Sequence, residues 1–398
     1  MVPFFKQWGG LSQTQIQLLQ SWFIFWAFIL EIPTGVVGDV RGTKFSTILG
    51  VIIQMLGFFL YITYPNFYIF LLAEFLIGVG LAFISGSREA WLYDTARKHG
   101  LEKRYTHINT LDYNIFLFGM LIASLSMSSV AIFLSLRALF VTHAVGLGIG
   151  ALILLLIPAV SHLKDSKKDE IRNPRGFAQY LSIVKESALI IKHNKALIKD
   201  IVYVIVMATA SYFVIWLYQP ILSDLHVDLK DFGLYKAFYM TAQITMGLII
   251  TKLLLKKIQN KRKLSILLAL FVALGYFVIT FGQSIPALLF FLLLAGGIGA
   301  QIRVVYSAVL NKQIPSDKRA TVLSLISMLR RAVLVLINPV VGLIVDSGGV
   351  NIAAIGIFDQ IATLKLSGLY LALFLLGCLA LLGAIIEIRR KTHLGAEL

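Results

Sequence analysis

From Leu18 onward the chain is a ladder of apolar blocks, each roughly 20 residues long, separated by short polar segments. A helix rising about 1.5 Å per residue crosses a bilayer's hydrocarbon core in about 20 residues, so each block predicts a membrane-spanning helix. The first five blocks cover residues 18–37, 45–64, 67–87, 108–130 and 131–160. The pattern then breaks. Residues 161–199 are hydrophilic and carry Lys164, Lys167, Lys168, Arg172, Arg175, Lys185, Lys192 and Lys195. Inside this stretch Phe177, Tyr180, Leu181, Val184 and Leu189 recur at helical spacing, which predicts an amphipathic surface helix over 176–193. Six further blocks follow at 201–222, 232–255, 264–281, 285–310, 320–345 and 363–388. The expected fold is therefore an all-α polytopic membrane protein of about eleven transmembrane helices. Its parts are an N-terminal bundle (1–160), a basic cytoplasmic linker (161–199) and a C-terminal bundle (200–398).

Composition agrees and leaves no room for a soluble domain. Hydrophobic residues make up 58% of the chain, charged residues 14%, and the mean hydropathy is +0.84. A soluble chain of this size needs far more charged surface. The net charge of +16 does not indicate nucleic-acid binding, because the basic residues are sorted among the loops. Arg41 and Lys44 lie in one loop; Arg88, Arg97, Lys98, Lys103 and Arg104 lie two loops later. The central linker, Lys256–Lys263, Lys312–Arg319 and Arg389–Lys391 continue the series, while the alternate connections carry almost no Lys or Arg. This alternation puts the basic loops and the C-terminus in the cytoplasm. The single cysteine, Cys378, lies in an apolar run and forms no metal-type spacing. Residues 1–17 lack the basic-then-apolar pattern of a cleavable signal.

Two blocks of helices joined by a long linker suggest a duplicated transporter. The loop after the first block makes this specific. It reads Gly35-Val36-Val37-Gly38-Asp39-Val40-Arg41-Gly42-Thr43-Lys44. This resembles the G-x-x-x-D-R-x-G-R-K signature of the major facilitator superfamily, with Val40 and Thr43 where basic residues are usual. Glu31-Ile32-Pro33-Thr34-Gly35 and Ser85–Asp94 resemble a bacterial branch rich in drug-efflux-type members, as does Ile314–Thr321. The resemblance implies two pseudo-symmetric helical bundles in the bacterial inner membrane. In the family the signature lies between helices 2 and 3, but here it follows the first block. By this resemblance the blocks are expected to correspond to family helices 2–12, which would leave helix 1 missing and put the N-terminus outside.

The same resemblance assigns roles. Asp39 is expected to cap family helix 11, with Arg41 reaching Asp94 or Glu89 and with Gly35, Gly42 and Lys44 shaping a cytoplasmic gate. An ordinary solvated turn with topology-setting charges is the plainer alternative. Ionisable groups at membrane depth are costly, so Glu31, Glu74, Asp112, Arg330 and Arg331 are candidates for gating or ion coupling. Glu31 is expected to pair with Arg330 or Arg331, or each to serve a permanent structural pair within one half. Glu74 either pairs with Arg137 or exchanges protons, since a carboxyl in a low dielectric holds its proton more tightly. Gln301, Arg303 and Tyr306 fall on family helix 10, a cavity-lining helix, and could read an anionic or polar substrate. Arg303 could equally snorkel to the cytoplasmic face. Tyr203, Tyr212 and Trp216 are further cavity candidates that could instead face lipid or neighbouring helices.

No phosphate-binding G-x-x-x-x-G-K-[ST] loop, zinc motif or catalytic cluster among the seven histidines occurs. The helix 5 signature of drug–proton antiporters, which contains Gly-Pro, is also absent. The expected function is secondary transport of a small solute by alternating access, driven by a proton or other ion gradient, with efflux favoured. No cofactor or metal is expected, and the working unit is a monomer in the lipid bilayer. An intramembrane lipid-modifying enzyme and a non-transporting remnant are the alternatives. If Glu31 and Arg330 pair, Glu31→Arg and Arg330→Glu will each abolish transport and the double exchange will restore it; transport assays on the three variants decide this.

Overall fold

The computed structural model describes residues 1–157, 185, 188–189, 191–250, 261–302, 306, 310, 313–314, 319–351 and 365–389. Two thirds of the amphipathic helix expected over 176–193 falls outside them, and Arg303 lies outside them as well. The described chain is nearly all helix, apart from a two-residue antiparallel ladder pairing Val350–Asn351 (β1) with Lys365–Leu366 (β2).

The chain divides into two compact units. The first comprises Met1, Pro3–Leu11 and Gln15–Tyr180, and the second Val2, Ser12–Thr14 and Leu181–Leu398. Helices of the first region are α1 (Gln13–Ile29), α2 (Glu31–Arg41), α3 (Thr43–Tyr61), α4 (Phe67–Ile84), α5 (Ser87–Lys98), α6 (Tyr105–Phe133) and α7 (Ala138–Leu156). Those of the second are α8 (Lys195–Asp224), α9 (Phe232–Ile249), α10 (Lys261–Gly282), α11 (Ile285–Phe291), α12 (Arg319–Asp346) and α13 (Gly368–Arg389). A π-helical segment, Leu292–Ile298, continues α11.

Among the described residues, nine helices are long and apolar enough to cross a membrane, and they coincide with nine of the eleven blocks. The other two blocks have plain reasons for falling short of that measure. The first is divided at Leu30, because Pro33 has no N–H to donate to the Ile29 carbonyl. The block at 232–255 is described only to residue 250. The fourth and fifth blocks are shifted from their expected bounds. The helix α6 runs on to Phe133, and Arg137 is the N-cap of α7, so Arg137 sits at a helix end and not within a span.

Water is absent from the hydrocarbon core, so burying leucine against leucine gains little there, and helices associate through close van der Waals contact at small residues. The first unit shows this at the α3–α4 crossing. A Cβ on Gly50 would lie 2.6 Å from the Gly80 carbonyl oxygen, and one on Gly80 would lie 2.5 Å from that of Gly50. Gly78 meets the α1 backbone in the same way, 3.1 Å from the Phe23 carbonyl. At one end of this unit, a π-helical turn (Phe4–Trp8) buries Phe4 and Phe5 among Tyr61, Phe70 and Phe140. By contrast α6 leaves Ile115, Phe116, Phe118 and Ile122 exposed, a surface suited to acyl chains.

In the second unit α8, α10 and α13 form the packed centre, again with glycine at the contacts. Gly275 approaches the Ala295 backbone, and Gly383 receives Met207. The hydroxyls of Tyr203 and Tyr276 donate to the carbonyls of Ser265 and Ala210, so two large buried rings carry no unsatisfied polar group.

Gly50→Leu is expected to destabilise the first unit by about 1–3 kcal/mol, the cost of overpacking against backbone that cannot retreat. Gly119→Ala, where a Cβ meets nothing within 4 Å, is the control and should leave the melting temperature unchanged. Thermal unfolding of the detergent-solubilised variants measures the difference.

Candidate functional site

The signature turn is built by glycine. Gly42 closes α2 and opens α3 at φ 98°, a conformation that side chains resist, and its N–H returns to the Gly38 carbonyl. Gly38 in turn lets the α4–α5 junction come close, since a Cβ there would lie 2.8 Å from Ser87 Oγ. The Ser87 hydroxyl donates to Ser46 (3.0 Å), which donates to the Phe83 carbonyl (2.9 Å). Gly86, at φ 75°, turns the chain from α4 into α5. The two sequence motifs, 35–44 and 85–94, thus form one docked structure.

Its charges are arranged differently from the expectation. The Arg41 guanidinium lies 5.7 Å from the centre of the Phe45 ring, which is its contact among the described residues in place of Asp94 or Glu89. Lys44 donates to the Leu155 carbonyl (3.2 Å) and to that of Ile157, placing a cation at the negative end of α7. Asp39 lies in the last turns of α2, and Gly35 faces open space. Asp94 is half-buried on α5. Asp112, a coupling candidate, is instead the partner of Arg88, whose Nη2 lies 2.5 and 2.6 Å from its two carboxylate oxygens. That pair is substantially exposed.

Glu31 is the exposed first residue of α2, directly after the break at Leu30. Arg330 and Arg331 are half-buried midway along α12, in the second unit.

Among the described residues of the first unit, Glu74 is the buried carboxylate, at 5% exposure on α4. Its Oε1 accepts from Gln20 Nε2 on α1 at 3.0 Å. The buried Tyr61 hydroxyl on α3 faces the same carboxylate without a well-formed hydrogen bond. The expected alternative partner, Arg137, is elsewhere: its guanidinium lies 4.4 Å from the Trp8 ring centre. Among the described residues Glu74 therefore has no cation at ion-pair distance. Gln17, one turn before Gln20 on α1, is fully buried with both amide atoms unsatisfied. Between α3, α6 and α7 the unit also holds a mainly apolar cavity of about 560 Å³, where the His143 ring packs 4.1 Å from Phe58. None of the sequence-predicted site residues lines it.

In the second unit the cavity candidates separate. Tyr306 is 2% exposed and stacks on Tyr203 at 4.5 Å, so it belongs to the packing of the unit and lines no open space. Gln301 spends its amide N–H on the Gln243 carbonyl of α9, at 3.0 Å. Tyr212 and Trp216 remain half-buried on α8, with rings 6.5 Å apart. The π-helical segment carries Gly296 and Gly297, and neither has room for a Cβ. Gly296 meets the Tyr239 ring at 2.5 Å, and Gly297 meets the Ala242 carbonyl at 2.9 Å. Such segments inside α-helices concentrate at functional sites.

Two charged residues here escaped the sequence reading. Glu387, fully buried near the end of α13, sits beside Tyr203 and Tyr306. Lys236 on α9 lies over the Tyr239 ring, 4.8 Å from its centre. The signal for both was present, because each is an ionisable residue inside an apolar block.

The described helices, the signature turn and the buried charges all suit a polytopic transporter, and the comparisons with known proteins agree. No curated protein matches the sequence. The fold is similar to that of a point mutant of the nucleoside transporter NupG (TM-score 0.79, 13% identity, covering 98% of this chain and 93% of that one). A D-xylose–proton symporter gives a TM-score of 0.66 at 14% identity, over 94% and 87% of the two chains. The POT family transporter PepTSo gives 0.67 at 12% identity, over 96% and 90%. At such identities the likeness concerns the fold alone. The family model of the Major Facilitator Superfamily, however, matches residues 1–339 of the sequence itself, so the chain belongs to the major facilitator superfamily.

Proposed function

We propose that this transporter moves a small solute by alternating access and couples the movement to protons through Glu74. The observation that carries the reading is the buried carboxylate itself. It lies on α4, holds one hydrogen bond from Gln20, faces Tyr61 and has no cation at ion-pair distance among the described residues. A charge held unpaired at membrane depth is costly, and taking up a proton relieves that cost. Loading and unloading that proton from opposite sides of the membrane would bias the two conformations in turn. Arg88 occupies Asp112, which makes Asp112 a weaker candidate for the same role.

Several finer readings accompany this one. The bundles are taken as 1–160 and 200–398, joined by the basic segment 161–199 on the cytoplasmic side. The helix formed by α1 and α2 serves as the family's second helix, because the signature turn follows it. The alternation of basic loops favours a cytoplasmic C-terminus in a bacterial inner membrane. The motifs around Glu31, Ser85 and Ile314 favour the drug-efflux-type branch, and with it export by antiport. The signature residues Asp39, Arg41 and Lys44 act in gating and do not touch substrate. The D-xylose–proton symporter among the similar structures supports proton coupling as a mechanism that this fold accommodates.

Proteoliposomes loaded with a pH-sensitive dye and challenged with sugars, nucleosides, peptides and amphiphilic cations test the proposal. The wild type should show proton movement triggered by one of these classes. Glu74→Gln keeps the hydrogen bond from Gln20 and loses the titrating group. It should exchange substrate across the membrane but fail to accumulate it against a gradient. Accumulation by Glu74→Gln at the wild-type rate, or wild-type transport indifferent to a proton ionophore, would overturn the coupling.

A further inference from the structure

The second unit contains a cation that its own neighbours do not explain. Lys236 is the fifth residue of α9, one turn in from the short 3₁₀ turn Leu229–Asp231. Helical side chains lean toward the helix N-terminus, so the easy course for this lysine is outward, past Phe232, to the polar turn. A lysine that merely snorkels takes that course. Two carboxylates stand at that end, Asp228 and Asp231, and Asp228 already holds Lys230 at 3.0 Å. Lys236 does the opposite. Its ammonium folds inward over Tyr239, one turn further along the helix. Among the described residues no carboxylate lies within ion-pair distance of it. The attraction of an ammonium for a tyrosine face is smaller than the cost of keeping a lysine unpaired at membrane depth, so the ring alone does not account for the arrangement.

The platform under the ammonium is held rigidly. Tyr239 is buried and fits against Gly296 of the π-helical segment, where any side chain would collide with its ring. Tyr218 lies nearly parallel to it, with ring centres 6.4 Å apart and planes 15° apart. The Tyr218 hydroxyl is fixed in turn by a hydrogen bond from Gln219 Nε2 at 2.9 Å. A cation presented over a fixed aromatic surface, short of a counter-charge, is a preorganised receptor for an anion.

We propose that Lys236, presented over Tyr239, is the recognition point for an anionic group, carboxylate or phosphate, on the transported solute. This rests on the transport reading above and narrows it to a substrate class. The chemistry required is one negatively charged group that accepts from the ammonium, with a body able to lie along a tyrosine face.

Thermal unfolding of the full-length protein in detergent tests this without any transport measurement, so a failure here is distinct from a failure of the transport reading. The probes are benzoate, its uncharged counterpart benzamide, and inorganic phosphate. Benzoate or phosphate should raise the wild-type melting temperature, and benzamide should not. Lys236→Arg, which keeps the charge, should retain the response. Lys236→Met should weaken it on the order of tenfold or more, the loss expected for one charge-assisted contact. In the absence of any probe, Lys236→Met should melt at or above the wild-type temperature, because the unpaired charge is gone. The proposal is overturned if neither anion shifts the wild type, if benzamide matches benzoate, or if Lys236→Met responds as the wild type does. It is equally overturned if the empty Lys236→Met protein melts lower, which would make the lysine a structural strut.

Discussion

Everything in this molecule depends on the lack of water between its helices. Inside hydrocarbon a leucine gains nothing by leaving lipid for protein, so the helices are joined by backbone proximity and by polar bonds made at depth. The mutual approach of Gly50 and Gly80 is the clearest instance, each glycine seated against the other's carbonyl. The same rule shapes the second unit, where Gly296 and Gly297 admit α9 to the π-helical segment. Even the signature turn obeys it, because Gly38 is what lets the serine chain of Ser46 and Ser87 close beneath the loop.

The rule that makes small residues adhesive makes charges expensive, and the structure is most readable where that expense is met in different ways. Arg88 and Asp112 neutralise one another at an exposed edge. Lys44 settles on the carbonyls that end α7. Arg137 stops at a helix terminus and lies on Trp8. Set against these, Glu74 and Lys236 stand out as charges lacking an ionic partner among the described residues, and one belongs to each unit. If the two proposals above hold, a carboxylate that takes up protons in one unit and an ammonium that receives an anion in the other would divide the chemical work of transport between them.

Much of the architecture was legible in the chain because two independent patterns coincide. Block length marks the spans, and the placement of Lys and Arg marks the loops between them. Block boundaries were less secure wherever an apolar run continued through a helix end. Residues 131–133 are apolar and carry no break of their own, so α6 keeps them; the chain turns at 134–137, where Ser135 Oγ accepts from the Ala138 N–H at the start of the next helix. The site was less legible still. Glu74 was visible as an acidic residue in an apolar block, but its partner was not, since Gln20 and Arg137 are both chemically suitable and geometry alone selects Gln20. Tyr306 and Gln301 looked like cavity residues by position on their helix. The first is consumed in stacking and the second in holding α9. Lys236 is a single lysine near a block's edge, where snorkelling is the ordinary course, and the direction of its side chain is not encoded in its spacing.

The π-helical segment Leu292–Ile298 has a consequence of its own for reading this helix. Each of its hydrogen bonds spans one residue more than the α pattern, so the side chains beyond it are turned by about 100° from where an unbroken α-helix would put them. Helical periodicity counted from Ile285 therefore loses phase before it reaches Gln301. Gln301 meets the Gln243 carbonyl from the turned position. The segment acts as a single inserted residue that the helix has absorbed, so deleting one residue there and restoring the α pattern would leave unchanged which faces of the following helix look inward.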